Sequence, residues 1–309
     1  MIKTIKTSDY DQLCTAQEDW EIHYSPTRTD RFEGHLTLGQ IGGVQIDLER
    51  WNTELELTGS LSEQHAAWTL PFFDNDSYLS KSREITQRHI ESYGAGEAVD
   101  VILNKPTAII ACTLCAETLN NRSDSPLVST LIESLRTSRL VHSADSSLDD
   151  LRCWWARLLA LCADDHIPTS AHDRLFDETL LITARALSSG EDHRQTRPSR
   201  RYQLARRARD FMLDRLSNPP TIPEVCAFLT ISERTLHKVF SVTYGVSPKQ
   251  FLKAHRLFAV NHALKSPAGE ESISDIAMRL GFWELGYFAR DYRKMFGELP
   301  SETLRATRT

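Results

Sequence analysis

Hydrophobic and polar residues alternate along much of the first hundred residues, with a period of two. This period is typical of strands that bury one face. The alternating runs are separated by Gly, Asn and Asp and lie at 35–38, 44–48, 53–57, 67–70 and 98–103. Such short strands, roughly ten residues apart, predict a small antiparallel barrel or sandwich.

Between residues 126 and 188 the apolar period lengthens to that of an amphipathic helix. Apolar positions share one face within the segments 127–135, 148–162 and 175–187, which predicts three helices. The second helix carries more apolar residues than one stripe needs, namely Leu151, Trp154, Trp155, Leu158, Leu159 and Leu161. We therefore expect the helices from Ser146 to Ser188 to pair two chains as a symmetric dimer.

The polar segment 189–199 shows neither period and is expected to be a structureless linker. The net charge changes sign across it. From residue 200 onward there are 18 Lys and Arg against 11 Asp and Glu, a net charge of +7. Residues 1–199 carry 18 against 31, a net charge of −13. A basic C-terminal third on an acidic body indicates a module that binds a polyanion.

The basic segment contains an internal repeat. Residues 222–226 recur as 273–277. At a spacing of 52, Leu236, Phe240, Tyr244, Gly245 and Pro248 recur as Phe288, Tyr292, Phe296, Gly297 and Pro300. Each copy predicts two helices joined by a short turn, and Phe288, Tyr292 and Phe296 are predicted to form the buried stripe of the second copy. Thr221 with Glu224 and Ser272 with Asp275 are the expected capping pairs, Ser232 is the next cap, and Gly281 is the turn. Two matched copies favour a double helix-turn-helix over an ordinary helical hairpin.

The second helix of each copy is predicted to expose residues suited to DNA. They are Arg234, His237 and Lys238 in the first copy, and Gly286, Arg290, Arg293 and Lys294 in the second. The basic side chains can donate to guanine or to phosphate oxygens, and a glycine permits close approach of the backbone. A helix over 248–265 would be about 27 Å long, near the spacing of successive major grooves. One chain is therefore predicted to contact two half-sites.

Taken together, these motifs resemble the AraC/XylS family of transcription regulators. The matching residues are 231–236, Phe240, Gly245, Ser247–Pro248, 273–277, Gly281–Phe282, 287–290, Phe296–Gly297 and Pro300–Ser301. The likeness covers residues 200–305, and 281–292 with 300–304 are most similar to the branch that contains the ethanolamine-utilisation regulator. It implies an α+β chain, with a small cupin-like β-barrel and helices followed by an all-α double helix-turn-helix domain.

The resemblance also implies which residues meet DNA. Family precedent places base contacts at the positions of Arg234, His237, Lys238, Gly286 and Arg290. The expected interface further includes Ser232, Thr235, Tyr287, Arg293 and Lys294. Relatives often carry a polar side chain at the position of Gly286, so contacts at the second half-site are expected to rest mostly on Arg290.

The same resemblance gives a domain plan and a function. Residues 1–125 would be a β-rich effector-binding barrel, 126–188 a helical dimerisation segment, 189–199 the linker, and 200–309 the DNA-binding domain. The chain is expected to be a sequence-specific transcription regulator, an activator, controlled by a small molecule. Its expected partners are promoter DNA, that effector, RNA polymerase and a second copy. With no apolar run long enough for a membrane span, we expect it in the cytoplasm, at the nucleoid.

We find no catalytic, cofactor or metal motif and expect no enzymatic activity. His23, His35, His65 and His89 stand alone, and Cys112 and Cys115 lie in an apolar run that favours a strand over a metal site. Residues 93–97 hold two glycines of a dinucleotide motif, but a turn is favoured. The alternative is an enzyme or sensor domain with a DNA-targeting tail. A DNA-repair methyltransferase would need a cysteine followed by histidine, and none of the six cysteines is.

Aromatic residues in the first eighty positions leave two interpretations open. The residues are Trp20, Trp51, Trp68, Phe72, Phe73 and Tyr78. They could line a ligand pocket or pack in the core. The effector is not identified, although the ethanolamine branch suggests a small amine or a cobalamin.

Overall fold

The computed structural model describes residues 2–73, 77–121, 126–136, 140–143, 146–164, 167–192, 198–266 and 271–307. Its N-terminal part is built from two antiparallel sheets. The strands are β1 Ile2–Thr7, β2 Trp20–Pro26, β3 Gly34–Ile41, β4 Val44–Trp51, β5 Leu55–Leu61, β6 His65–Pro71, β7 Ser77–Ser80, β8 Arg83–Thr86, β9 His89–Tyr93, β10 Ala98–Leu103, β11 Thr107–Cys115, β12 Leu140–His142 and β13 Glu191–Asp192. Each of the five alternating runs overlaps one of these strands.

The larger sheet has the order β1-β3-β4-β11-β6-β9-β12-β13, and the smaller has the order β2-β5-β10-β7-β8. A two-residue turn joins β3 to β4, where Ile41 pairs with Val44. Gly42 and Gly43 occupy this turn with φ of 57° and 81°, values that favour glycine. Side chains of both sheets, such as Leu36 on β3, meet between them in one apolar core.

Five helices lie among the described residues of this N-terminal part. They are α1 Tyr10–Cys14, α2 Ala116–Asn120, α3 Pro126–Arg136, α4 Ser147–Leu161 and α5 Thr169–Ser188. The last three correspond to the three predicted helices. Leu131 of α3, Leu158 of α4 and Phe176 of α5 pack on the outer face of the larger sheet in a second core. Since β-sheets bury their apolar face against another layer, the sheet, its partner sheet and the helices form three layers.

The apolar surplus of α4 is used within the chain. Leu151, Trp155 and Leu158 are fully buried, and Trp154 and Leu161 pack against the same core while half-buried. These positions of α4 therefore leave little apolar surface for a partner chain, and pairing of two chains stays a prediction. The sequence could not show this burial, because a helix lying between a sheet and a second helix buries more than one stripe.

In the C-terminal part, every regular element within 198–266 and 271–307 is a helix. Its helices are α6 Arg200–Leu213, α7 Ile222–Leu229, α8 Glu233–Tyr244, α9 Pro248–Lys265, α10 Ile273–Arg279, α11 Leu285–Phe296 and α12 Pro300–Thr307. Two apolar cores hold them, one around Leu236 and Phe251 and the other around Leu257 and Tyr292. Phe251 and Leu257 both lie on α9, so this helix joins the two units. The predicted α+β fold is confirmed.

The acidic N-terminal part and the basic C-terminal part make direct ion pairs. Glu56 on β5 is fully buried, and Nε of Arg209 lies 2.9 Å from its Oε1. Arg206 Nη1 donates to Asp100 Oδ1 over 3.0 Å. A separate contact joins Lys265 Nζ to Asp9 Oδ1 at 2.8 Å. The charge asymmetry of the sequence is thus partly neutralised between the two parts.

The segment predicted to be a structureless linker is ordered at its start. Glu191 and Asp192 form β13, which pairs with Val141 and His142 of β12. Residues 193–197, which include most of the rest of the predicted linker, lie outside the described residues. Among the helices of the described ranges, none combines the length and the apolar character that crossing a lipid bilayer requires.

Candidate nucleic-acid interface

The first helix-turn-helix unit consists of α7 and α8. Thr221 and Glu224 form the predicted capping box at the start of α7, where the backbone N–H of Thr221 donates to Glu224 Oε2 over 2.7 Å. These hydrogen bonds from Thr221 hold the pKa of Glu224 below its usual value. Ser232 caps α8 and accepts from the backbone N–H of Thr235 over 3.2 Å. The caps fix where each helix begins and so fix which face of α8 is buried.

The buried face of α8 is formed by Leu236, Val239 and Phe240. Arg234, His237 and Lys238 lie on the opposite, exposed face. Thr235 is half-buried, and its hydroxyl is hydrogen-bonded to that of Ser232 over 2.9 Å. The structure therefore brings three of the candidate side chains to one accessible face, and it gives Ser232 and Thr235 a role in starting the helix.

The second unit consists of α10 and α11. Ser272 and Asp275 form the predicted capping box, and Gly281 makes the turn with φ of 77°. Phe288, Tyr292 and Met295 are the buried residues of α11, whereas Phe296, predicted to be buried, is half-buried. The exposed residues of α11 are Leu285, Gly286, Tyr287, Arg290, Arg293 and Lys294. The guanidinium of Arg290 lies 4.7 Å from the centre of the Tyr287 ring.

Helix α9 spans 18 residues and is therefore about 27 Å long. Ser247 caps it in a box with Gln250, and Pro248 occupies its first turn. Because α9 contributes to both cores, it sets a fixed separation between α8 and α11. Apart from the half-buried Thr235, the candidate residues of both units are exposed in the presence of the N-terminal part. Lys294 Nζ contacts Asp30 Oδ1 at 3.0 Å.

Three groups of basic and aromatic residues lie near these faces but were not among the predicted DNA contacts. Arg200 and Arg201, at the start of α6, border the same groove as Arg234 and Lys238. Lys249 and Lys253 of α9 border a groove between the two units. Trp283 also borders that groove, and 77% of its surface is exposed. The sequence feature that indicates a place for Trp283 at this interface is its position just before a predicted recognition helix.

The barrel interior holds a second candidate site, a cavity of about 50 Å³ between the two sheets. Trp20, Trp51 and Tyr78 line it, so three of the six aromatic residues face this cavity, while Trp68 packs in the core beneath the helices. Glu49 also lines it and accepts a hydrogen bond from the Tyr24 hydroxyl over 2.6 Å. Among the described residues, no acceptor lies within hydrogen-bonding distance of the buried Trp51 Nε1.

Two buried acids on β4 have perturbed pKa values. Burial raises the pKa of Asp47 to about 8 and that of Glu49 to about 7. A hydrogen bond from Gln45 opposes this for Asp47, and hydrogen bonds from Tyr24 and Gln17 oppose it for Glu49. Since the charged form is the one that burial disfavours, both carboxyls remain protonated at mildly acidic pH.

We expect Asp47→Asn to stabilise the protein at pH 9 by on the order of 3 kcal/mol more than at pH 5. The folded-state pKa is raised, so the stability linked to Asp47 is present below the unfolded pKa and is lost as pH rises through about 8. Urea unfolding at both pH values measures the difference. Glu21→Gln, at an exposed position of β2, is the control and should change neither value. An equal effect of Asp47→Asn at pH 5 and pH 9 would contradict this assignment.

The remaining candidate residues lie in a turn, in a strand or in an ion pair. Residues 93–97 form the predicted turn between β9 and β10, with Gly96 at φ of 69°. Cys112 is buried on β11, and Cys115 ends that strand. His65 Nε2 lies 3.3 Å from Asp19 Oδ1. Within the part of the chain that the structure describes, no three His, Cys, Asp or Glu side chains come together to hold a metal ion.

Comparison with known proteins agrees with the geometry of the C-terminal part. Residues 225–306 match a family model described as a helix-turn-helix domain. The XylDLEGF operon transcriptional activator of Pseudomonas putida is 35% identical over 96 residues, which are 31% of this chain and 30% of that relative. The HTH-type transcriptional activator RhaS of Klebsiella pneumoniae (strain 342) is 34% identical over 79 residues, which are 26% of this chain and 28% of that relative.

A solved structure described as a probable AraC family transcriptional regulator from Rhodopseudomonas palustris CGA009 has 37% sequence identity. It covers 35% of this chain and 99% of its own, with a TM-score of 0.33. The C-terminal part of the chain is a helix-turn-helix domain, and the proteins to which it is similar are described as transcriptional activators or as a probable AraC family transcriptional regulator. The chain matches less than a third of the length of the two transcriptional activators.

Proposed function

We propose that the chain is a sequence-specific DNA-binding transcription activator, controlled by a small-molecule effector in its N-terminal domain. The observation that carries this proposal is the pair of recognition helices, α8 and α11, whose basic faces are both exposed and are held apart by α9. The candidate contacts are Arg234, His237, Lys238, Gly286 and Arg290 at bases, with Ser232, Thr235, Tyr287, Arg293 and Lys294 around them. Two similar proteins are described as transcriptional activators, which supports activation rather than repression.

The proposed partners of the chain are promoter DNA and RNA polymerase, and its proposed location is the nucleoid in the cytoplasm. Its effector site is the barrel cavity. The buried Trp51 Nε1 offers a donor there, and the Glu49 carboxyl offers an acceptor or, once protonated, a donor. An amine or another small polar molecule would complement this pair. The likeness of 281–292 to the ethanolamine branch is the reason to include ethanolamine among the candidates. Cobalamin, the other candidate of that branch, is far too large for a cavity of about 50 Å³.

A gel-shift assay tests DNA binding with fragments from upstream of the gene and from elsewhere in the genome. We expect one upstream fragment to bind far more tightly than random DNA and to lose affinity steeply between 50 and 200 mM salt, because phosphate contacts release counterions. An enzyme with a targeting tail would bind DNA without activating transcription from it. A sensor that acts only through proteins would show weak binding to every fragment, which would overturn the proposal.

Thermal unfolding of the full chain with candidate effectors tests the N-terminal part of the proposal. A ligand of the barrel should raise Tm, and at one concentration a tighter ligand should raise it more. Trp51→Phe should abolish the rise, because it removes the Nε1 donor and keeps an aromatic ring at this position. An effector that still raises Tm in the Trp51→Phe variant binds elsewhere.

Gly286→Ala should raise the free energy of unfolding by about 0.5–1 kcal/mol, since alanine favours a helix. A Cβ at residue 286 meets nothing within 4 Å, so the fold accepts it. Gly286→Glu should instead weaken promoter binding by at least ten-fold, because it turns a carboxylate toward phosphates. Urea unfolding and fluorescence anisotropy measure the two effects. Unchanged binding by Gly286→Glu would place residue 286 away from DNA.

We further propose that the helical segment 126–188 pairs two chains. Because Leu158 is buried inside the chain, the contact must use outer positions such as Leu181 of α5, which is 41% exposed. Leu181→Asp should turn a dimer into a folded monomer in sedimentation, whereas Leu158→Asp should unfold the chain. A wild-type protein that sediments as a monomer at tens of micromolar, with and without DNA, would refute the dimer.

A further inference from the structure

The start of α11 exposes an apolar run that the fold does not use. All five residues from 283 to 287 are exposed, and three of them are large and apolar. The exposed fractions are 77% for Trp283, 56% for Tyr287 and 40% for Leu285. An exposed cluster of this kind, including a tryptophan, commonly marks an interaction surface.

The corresponding residues of the first unit, 52 positions earlier, have a different character. Ile231 corresponds to Trp283 and packs against the core of its unit, whereas Trp283 is free of the core. Arg234, the first unit's long donor, corresponds to Gly286, where a Cβ would meet nothing within 4 Å. Compared with the first unit, the second unit therefore lacks a long polar side chain at the centre of its exposed face and has more aromatic surface around that position.

The surroundings of this run favour a polyanion as its partner. Trp283 borders the groove between the two units together with Lys249, Lys253, Arg256 and Arg290. Three acids, Glu233, Glu284 and Asp291, border it too, and Asp291 pairs with Lys253 over 2.6 Å, so the cations outnumber the acids by one. Arg290 lies one turn beyond Gly286 and places its guanidinium over the Tyr287 ring at 4.7 Å. This contact holds the ring beside a positive charge. A protein partner chosen for its apolar surface would not need these flanking cations.

Residues at the start of a recognition helix reach base edges in the major groove. The thymine methyl is the apolar group that these edges present, and other bases offer hydrogen-bonding groups at that level. We propose that Trp283, with Tyr287, recognises a thymine methyl in the second half-site, so that this unit selects sequence mainly by apolar contact. The inference rests on the proposed function, because it assumes that α11 enters a major groove.

Substitution of deoxyuridine for single thymines of the bound site tests the proposal, since it removes only the methyl group. We expect the wild-type full chain to lose about four-fold in affinity at one or two thymines of the second half-site. Trp283→Ala should bind the thymine and deoxyuridine sites equally. Met278→Ala removes an exposed apolar side chain of α10 in the same unit and should retain the four-fold difference.

Other outcomes overturn the inference in distinguishable ways. If Trp283→Ala binds more weakly but keeps the thymine preference, Trp283 contacts the sugar-phosphate backbone instead. If it binds DNA normally and only loses transcription activation, the surface serves a protein partner. If the wild-type chain binds no fragment specifically, the proposed function fails together with this inference.

Discussion

Replacing Arg209 with alanine should lower the free energy of unfolding by about 3 kcal/mol. Arg209 lies on α6 of the C-terminal part and pairs with Glu56, which is fully buried on β5. Burial raises the pKa of Glu56, and the charges of Arg209 and Arg206 act against this. His255, 3.8 Å away, contributes no charge at neutral pH, because burial and Arg209 lower its pKa to about 3. Without Arg209, a buried carboxylate keeps only the longer contact to Arg206.

Urea unfolding followed by circular dichroism measures this loss. Arg207→Ala removes an exposed arginine from the same helix and should have an effect within about 0.5 kcal/mol. Adding Glu56→Gln to Arg209→Ala should restore part of the stability, because no charge then stays buried without a partner. If Arg209→Ala and Arg207→Ala are equally stable, the two parts of the chain do not depend on this ion pair.

Lys238→Ala and Arg290→Ala should each weaken binding to the cognate promoter by about 1–3 kcal/mol, with smaller effects on random DNA. The two residues occupy equivalent positions, 52 residues apart, on the exposed faces of α8 and α11. Each change should therefore act through a different half-site. In the double variant the losses should add, because α9 keeps the two sites apart.

Fluorescence anisotropy with promoter and scrambled duplexes at one fixed salt concentration measures both affinities. Arg215→Ala is the matched control, since it removes an exposed positive charge from the same domain outside both recognition helices. Equal losses on promoter and scrambled DNA would make Lys238 and Arg290 phosphate contacts. If Arg215→Ala weakens promoter binding as much as either variant does, the affinity depends only on net charge.

The helix-turn-helix repeat could be predicted from the sequence because its signals are local. Capping pairs such as Thr221 with Glu224 lie three residues apart, and the buried positions of α8 follow one helical period. The five alternating runs of the barrel were predictable for the same reason. Phe296 was predicted to be buried and is only half-buried, whereas the neighbouring Met295 is buried.

What could not be predicted depends on contacts between distant parts of the chain. Nothing near Glu56 in sequence indicates that Arg209 will lie 2.9 Å from it. The apolar surplus of α4 was assigned to a partner chain because the sequence does not show how many neighbours a helix has. Trp283 lies just before a predicted recognition helix, but only the folded unit shows that its side chain is exposed.

Hydroxyl-radical footprinting of one bound promoter site by the segment 200–309 tests the central claim most directly. If two units on one chain contact two half-sites, one molecule should protect two patches about one helical turn apart. Lys238→Ala should remove protection from one patch, and Arg290→Ala should remove it from the other. A single protected patch, or the same change of footprint in both variants, would contradict the account.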